Sequence, residues 1–461
     1  MESRGSSLYI LHLPAGRQVL NFRFYIFMNY YSLNKKSPAV SFKEATIKGQ
    51  APDKGLYFPE QIPQVDQSLI ADIENYSNEE IAFRVIKPYV GNTIDEETLY
   101  QIVQETVNFP IPLVPVTPDI SSLELFHGPT LAFKDIGARF MSRCLAQFVK
   151  GIDKKVIVLV ATSGDTGGAV ANGFYGVEGV EVVILYPSGK VSSVQEKQLT
   201  TLGNNIHALE VEGSFDDCQQ MVKQAFADKS LNQKLFLTSA NSINVARWLP
   251  QQFYYFFAFK QWKEKSNPPV ICVPSGNFGN ICAGILAHIS GLPVKHFIAA
   301  CNANDTVHRF LETGNYQAHK AIATLSNAMD VAEPSNFIRI LELFHQETGE
   351  LKNLVSSFSI SDEETVATVQ KVFKDYKYMA DPHGAVGFLA LQRWLDKHPG
   401  NKGFFLETAH PVKFPDAIVQ ATGEQVPIPG SLTPLLRRDK KSVLLPATYQ
   451  ELSTFLEKTL S

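Results

Sequence analysis

Apolar residues in this chain gather into short runs, most of them continuous rather than alternating. The runs at 156–160, 182–185, 206–211, 270–273, 297–300 and 404–406 are rich in β-branched or aromatic residues. Continuous runs of this length suit strands buried on both faces, which is how parallel sheets are built. Segments with helical spacing lie between them, so the pattern predicts an α/β fold with parallel sheets flanked by helices. Residues 41–110 read differently. Helical patterning dominates there, Asp95-Glu96-Glu97 opens a helix, and 53–59 is a turn followed by a short extended piece. Pro110, Pro112, Pro115 and Pro118 then crowd one segment. Proline at that density breaks helices and central strands, so a domain boundary is expected near 112. The aromatic run 253–257 predicts a helix packed between core layers.

At 461 residues the chain is too long for one compact core. The expected division is an extension at 1–27, a mostly helical N-terminal domain at 28–112, and a region at 113–461 made of two α/β subdomains. Residues 1–27 carry Arg4, Arg17 and Arg23 against Glu2, and Met28 opens a segment of different character. A transit peptide is similarly basic and poor in acids; the favoured reading is that translation starts at Met28, with the residues before it outside the fold. A net charge of -4 gives no reason to expect nucleic acid or an anionic membrane as a partner, and no apolar run reaches bilayer length. The 5 cysteines form no C-x-x-C pair, which predicts buried, reduced thiols and a cytoplasmic protein.

Candidate chemistry starts at residues 125–140, LFHGPTLAFKDIGARF. Lys134 follows a Gly-Pro turn and the apolar step Leu131-Ala132-Phe133. A lysine in a helix's first turn is ordinarily a solvated charge. Among apolar groups its charged form is disfavoured, and the neutral amine can hold an aldehyde cofactor as a Schiff base. The rest of the chain supports the second reading. Run 156–160 enters ATSGDTGG and then a helix, and run 270–273 enters PSGNFGN and then a helix. A strand, a glycine-rich turn and a helix N-terminus together form an anion cradle. Neither turn is a P-loop or a clean G-x-G-x-x-G. Two cradles and a reactive lysine point to a cofactor bearing an aldehyde and a phosphate, pyridoxal 5'-phosphate, beside an anionic substrate. His127, His383 and His410 sit in turns without metal-ligand spacing, so no metal is expected.

The ordered set of motifs closely resembles the threonine synthase family, in the branch with an extra N-terminal domain. It runs from 37–59 through 126–141, 161–171, 241–247, 274–280, AACNANDTVHRF (299–310), ATLSNAMDV (323–331) and DPHGA (381–385) to ETAHPVKF (407–414). The resemblance implies the tryptophan-synthase-β-like fold of pyridoxal-phosphate enzymes. It implies conversion of O-phospho-L-homoserine and water to L-threonine and phosphate, by γ-elimination and β-addition of water. Lys134 is then the cofactor lysine, and Gly276, Asn277, Phe278, Gly279 and Asn280 form the cofactor phosphate cup. Thr408 faces the pyridine nitrogen, and Asp165 lies near the ring hydroxyl. Ser163, Gly164 and Thr166 hold the substrate carboxylate, while Asn241, Ser242, Asn244 and Arg247 contact its phosphate. Asp165 departs from the wider family, where asparagine often stands, and a carboxylate facing an oxyanion would repel it. The alternatives are a phospholyase or hydroxy-amino-acid dehydratase on the same scaffold, or a non-catalytic cofactor-binding relative. A monomer or homodimer is expected.

Overall fold

The computed structural model describes residues 28–151 and 156–460, so the expectation for 1–27 lies outside the described residues. At the N-terminal end, β1 (Asn29–Ser32), β2 (Val40–Ser41) and β3 (Tyr57–Pro59) form an antiparallel sheet in the order β2-β1-β3. Helices α1 (Phe42–Lys48), α2 (Asn78–Val90) and α3 (Glu96–Thr106) surround it. Ser41 and Glu44 make a capping box on α1, satisfying amides that the helix itself cannot. Asp95 caps α3 through the Thr98 amide, and Glu96 and Glu97 sit in its first turn, where the helix dipole favours acids.

The remaining strands are β4 (Leu113–Pro115), β5 (Ile120–Glu124), β6 (Val156–Ala161), β7 (Val180–Pro187), β8 (Ile206–Glu212), β9 (Phe236–Thr238), β10 (Val270–Pro274), β11 (His296–Cys301), β12 (Val355–Ser359), β13 (Gly403–Glu407) and β14 (Ser442–Pro446). They build a 6-stranded sheet, β12-β11-β10-β13-β5-β4, and a 5-stranded sheet, β14-β8-β7-β6-β9. Every pairing in both is parallel except β4 with β5. All the continuous apolar runs are strands, and β6, β10 and β13 are buried along their whole length. The proline-rich segment supplies β4, at the sheet edge where a missing amide donor is tolerated.

One large core joins the N-terminal unit to the facing sides of both parallel sheets, and smaller clusters line their outer faces. Helix α4 (Lys134–Phe148) runs through this core and packs on α5 (Asp165–Phe174) and α6 (Val245–Trp248). A Cβ at Gly173 would stand 3.1 Å from the Ala138 carbonyl, so glycine there permits the close approach of α4 and α5. Helix α7 (Phe253–Gln261) presents Phe253 to Phe259 fully to the core, as its aromatic run predicts. The chain leaving the C-terminal end of β13 is bonded to the start of α4, and the helix that follows the C-terminal end of β6 packs on α4. Ligands of open α/β sheets bind at such ends.

Candidate active site

Between β5 and α4 the chain is pinned to the exit of β13. The Leu125 amide donates to the Glu407 carbonyl at 3.0 Å, Phe133 N–H to the Thr408 carbonyl at 2.9 Å, and His410 N–H to the Leu131 carbonyl at 3.1 Å. Leu131 takes a left-handed φ of 57°, and Asp135 closes the turn by accepting from the Thr130 amide (2.9 Å) and hydroxyl (2.6 Å). Lys134 is thereby set as the first residue of α4, part-buried, with its amine 5.6 Å from the Phe133 ring centre. Desolvation is the largest influence on it. Asp165 pulls its pKa up, Lys413 and Arg247 push it down, and the balance leaves it lowered to about 8.

The turn after β6 is organised by Thr162. Its buried hydroxyl accepts from the amides of Gly164 (3.0 Å) and Gly167 (2.9 Å). Gly164 has φ 137°, and a Cβ there would overlap the Gln195 carboxamide at 2.5 Å. That close approach lets Gln195 Nε2 donate to Asp165 Oδ1 at 3.0 Å. Lys413 Nζ reaches the same oxygen at 2.8 Å, and the two charged side chains are 0% and 3% exposed. Burial alone would raise the Asp165 pKa, but Lys413 and then Lys134 overcome it and hold the carboxyl well below its usual range. The expected repulsion at Asp165 is thus offset inside the protein by a cation that the sequence reading did not assign.

The turn after β10 is built differently. Phe278 adopts a left-handed conformation (φ 59°) and starts α8 (Gly279–Ile289), whose first amides have no partner within the helix. Tyr255 donates to the Asn280 side-chain oxygen at 2.8 Å, which leaves the buried Nδ2 without a partner. Gly276 is required by its neighbour, because a Cβ would stand 2.6 Å from the Met329 Cα. The loop carrying Met329 is anchored in turn, since Asp330 accepts from Asn302, Asn304 and Thr324.

The loop after β9 joins this second turn. Asn277 Nδ2 donates to the Ser242 hydroxyl at 2.7 Å. Arg247, on α6, is buried; its Nη1 donates to the Ala240 carbonyl and its Nε has no partner. Burial lowers its pKa to about 10. Asn244 is committed elsewhere: its oxygen caps α6 at the Ala246 amide (3.0 Å), and its nitrogen donates to the Thr46 (2.8 Å) and Ser239 (3.3 Å) carbonyls. It therefore holds the loop and has no free atom to offer a ligand. Asn241 is part-buried with an unpartnered side-chain oxygen.

Asp165 and Arg247 thus act on Lys134, Thr408 is tied to the neighbouring Phe133, and Asn277 meets Ser242, with Ser163 and Thr166 part-buried at the first turn and Thr408 buried where β13 leaves the sheet. Two residues were missed. Lys413 lies within the motif ETAHPVKF, which was a signal to look for it. Arg339, on α9 (Phe337–Leu343), is fully buried. It donates to the carbonyls of Ser242 (3.1 Å), Ile243 (2.7 Å) and Tyr57 (3.0 Å) and to the Asn336 side chain (2.7 Å). No motif marked it. Of the histidines, His127 bonds Glu124 at 2.7 Å from a turn and His410 accepts from Val412 N–H at 3.1 Å. His383 is not in a turn as expected but buried at the start of the helix Pro382–Lys397, where it bonds Asp381 at 3.1 Å and accepts from the Ala328 amide at 3.2 Å. No cluster of metal-ligand type occurs among the described residues.

This geometry suits an aldehyde cofactor with a phosphate. Lys134 supplies an amine of lowered basicity, and the second turn offers helix-start amides together with an orphaned, buried Asn280 donor. A family described as pyridoxal-phosphate dependent enzymes matches residues 122–403, more than half of the chain. The protein is a pyridoxal-phosphate-dependent enzyme with an α/β fold of parallel sheets and helices.

Two further family descriptions, threonine synthase N terminus and threonine synthase C-terminal, match residues 29–107 and 384–456. The chain is 46% identical to the threonine synthase of Serratia marcescens over 430 residues, which is 93% of this chain and 99% of that protein. The crystal structure of threonine synthase from Escherichia coli superposes with a TM-score of 0.87 at 43% identity, covering 93% of this chain and 99% of that one. A pyridoxal-phosphate-bound threonine synthase from Brucella melitensis gives 0.88 at 34% identity, covering 94% and 99%. The chain belongs to the threonine synthase family.

Proposed function

We propose that this protein converts O-phospho-L-homoserine and water into L-threonine and phosphate. The observation that carries this substrate is Arg247, a buried guanidinium whose Nε has no partner and which pairs with no carboxylate among the described residues. A buried, unpaired cation is costly, and a substrate phosphate would satisfy it with a bidentate contact. A substrate lacking phosphate, as in a hydroxy-amino-acid dehydratase, would leave it unanswered.

Pyridoxal phosphate, when bound, supplies the electron sink that stabilises negative charge on the amino acid's carbon skeleton. The chain's own groups do the rest. Lys134 carries the cofactor, and with its pKa near 8 its amine can both take and return a proton near neutral pH. The Gly276, Asn277, Phe278, Gly279 and Asn280 turn holds the cofactor phosphate through backbone amides and Asn280 Nδ2. Thr408 offers a hydroxyl to the ring nitrogen, which a hydroxyl leaves largely unprotonated. Ser163 and Thr166 receive the substrate carboxylate, while Gly164, whose amide is held by Thr162, keeps the turn open for them. Arg247, with Asn241 and Ser242, supports the phosphate as its bond to the γ-carbon breaks. Asn244 fixes their loop.

The same reading takes 28–112 as an N-terminal unit, 113–461 as the cofactor-binding region and 1–27 as dispensable. It places the protein in the cytoplasm as a monomer or homodimer with no nucleic-acid or membrane partner. The cytoplasmic placement fits the 5 cysteines, all free and buried. The test is incubation with O-phospho-L-homoserine, assaying threonine, 2-oxobutyrate and phosphate together. Equal threonine and phosphate are expected; phosphate with 2-oxobutyrate alone would make the protein a phospholyase.

A further inference from the structure

Asp165 Oδ1 receives Lys413 Nζ at 2.8 Å and Gln195 Nε2 at 3.0 Å, and all three side chains are buried. Lys134 is the other cation acting on that carboxylate, and Asp165 is the group that most strengthens the charged form of Lys134. Two ammonium groups thus compete for one acid. We infer that Lys413 is a positioning residue: by occupying Asp165 it prevents that carboxylate from capturing Lys134 as an ion pair, and so keeps the Lys134 amine available. The inference rests on Lys134 being the cofactor lysine.

The other groups around Lys134 do not provide a substitute. Arg247 is a cation and opposes protonation of Lys134. Asp135, next in the chain, is turned to the Thr130 amide and hydroxyl. The Tyr254 hydroxyl donates to the Phe133 carbonyl. Without Lys413, Asp165 would be a buried anion with Lys134 as the remaining cation that acts on it. An opposite charge within about 4–6 Å favours the ammonium by about 1 to 3 pH units. Asparagine at 165 would need no cation, which gives the pair an internal control.

The experiment uses the full chain freed of cofactor and measures acetylation of Lys134 by acetic anhydride against pH, read by peptide mass. The midpoint for the unchanged protein is expected near 8. Lys413→Met should move it up by about 1 to 3 units, with a matching tenfold or greater loss of labelling rate at neutral pH. The double variant Lys413→Met with Asp165→Asn should return the midpoint to its original value or lower. It leaves neither charge buried alone, so it is also the better-folded of the two. An unmoved midpoint in Lys413→Met, or a shift that persists in the double variant, would overturn the inference. Borohydride reduction of the cofactor-loaded protein reads the underlying assignment separately: label on another lysine sinks that assignment, whatever the acetylation profile shows.

Discussion

After β6 the chain turns through Thr162, Gly164 and Asp165, and after β10 it turns through Gly276, Phe278 and Asn280. Both are spelled as a strand, a glycine-rich stretch and a helix. The first commits two of its amides to one hydroxyl, and the carboxylate at its helix start is neutralised by a lysine from far along the chain. The second reaches its helix through a left-handed phenylalanine and leaves a buried amide nitrogen unpaired. The spelling therefore foretells a helix start at a sheet's end. Whether that start is ready for an anion depends on which neighbours reach it first.

The strongest way to break the contrast is to remove the lysine that both turns are proposed to serve. Lys134→Ala should lower kcat/KM by about a thousandfold or more, since a positioned acid–base group alone supplies 10²–10⁴. Borohydride should then fix no cofactor mass on that peptide. Next comes Arg247→Ala, expected to cost on the order of 3 kcal/mol in kcat/KM for O-phospho-L-homoserine while the cofactor's visible absorption stays as it was. Lysine at 247 should restore only part, because it returns charge without the fork. A change in the cofactor spectrum would mean that the arginine serves the second turn rather than the substrate.

Asn280→Asp sharpens the comparison by giving the second turn the acid that the first already has. With Tyr255 rather than a lysine bonded to that side chain, the acid should weaken pyridoxal phosphate binding by roughly 1–3 kcal/mol, more than Asn280→Ala does. Equal losses in the two variants, by equilibrium dialysis, would show that the turn is indifferent to charge. The smallest effect is a control far from both turns. His296 stacks on Trp394, bonds Ser356 at 2.7 Å, and is pushed by burial down to about 4 from 6.5. Its imidazole stays neutral in the fold, while the unfolded chain takes up a proton first. Stability should therefore fall as pH drops from about 6.5 towards 4, and His296→Gln should flatten that slope by up to one proton without altering activity.

Much of this was legible beforehand. The apolar runs gave the buried strands, and the glycine turns fell at strand ends, with Lys134 at a helix start. Strand β5, Ile-Ser-Ser-Leu-Glu, was not foreseen, because two serines leave no continuous apolar run there. In the fold Ser122 is buried and accepts from the Tyr378 hydroxyl at 2.8 Å, a partner 256 residues away. Strands β9 and β12 are short or polar and exist because longer neighbours pair with them. The resemblance made Asn244 a contact to the substrate phosphate, yet capping and a contact to Thr46 occupy its side chain. Lys413 and Arg339 look like surface charges in sequence. Only tertiary neighbours show that each is enclosed.

Arg339 also sets the order in which the site can be assembled. Its guanidinium ties Tyr57 to a residue 282 positions later, and through Ser242 and Ile243 it fastens the loop that leads to Arg247. Asn244 makes a parallel tie to Thr46 across 198 positions. A nascent chain that has emerged only past Asn280 already contains Lys134 and both glycine turns, yet it lacks the clasp that gathers them. Contacts of such long range form slowly, because loop closure comes before any return in binding. A chain that ends before residue 339 therefore cannot complete the loop that carries Arg247, which requires an arginine outside every recognised motif.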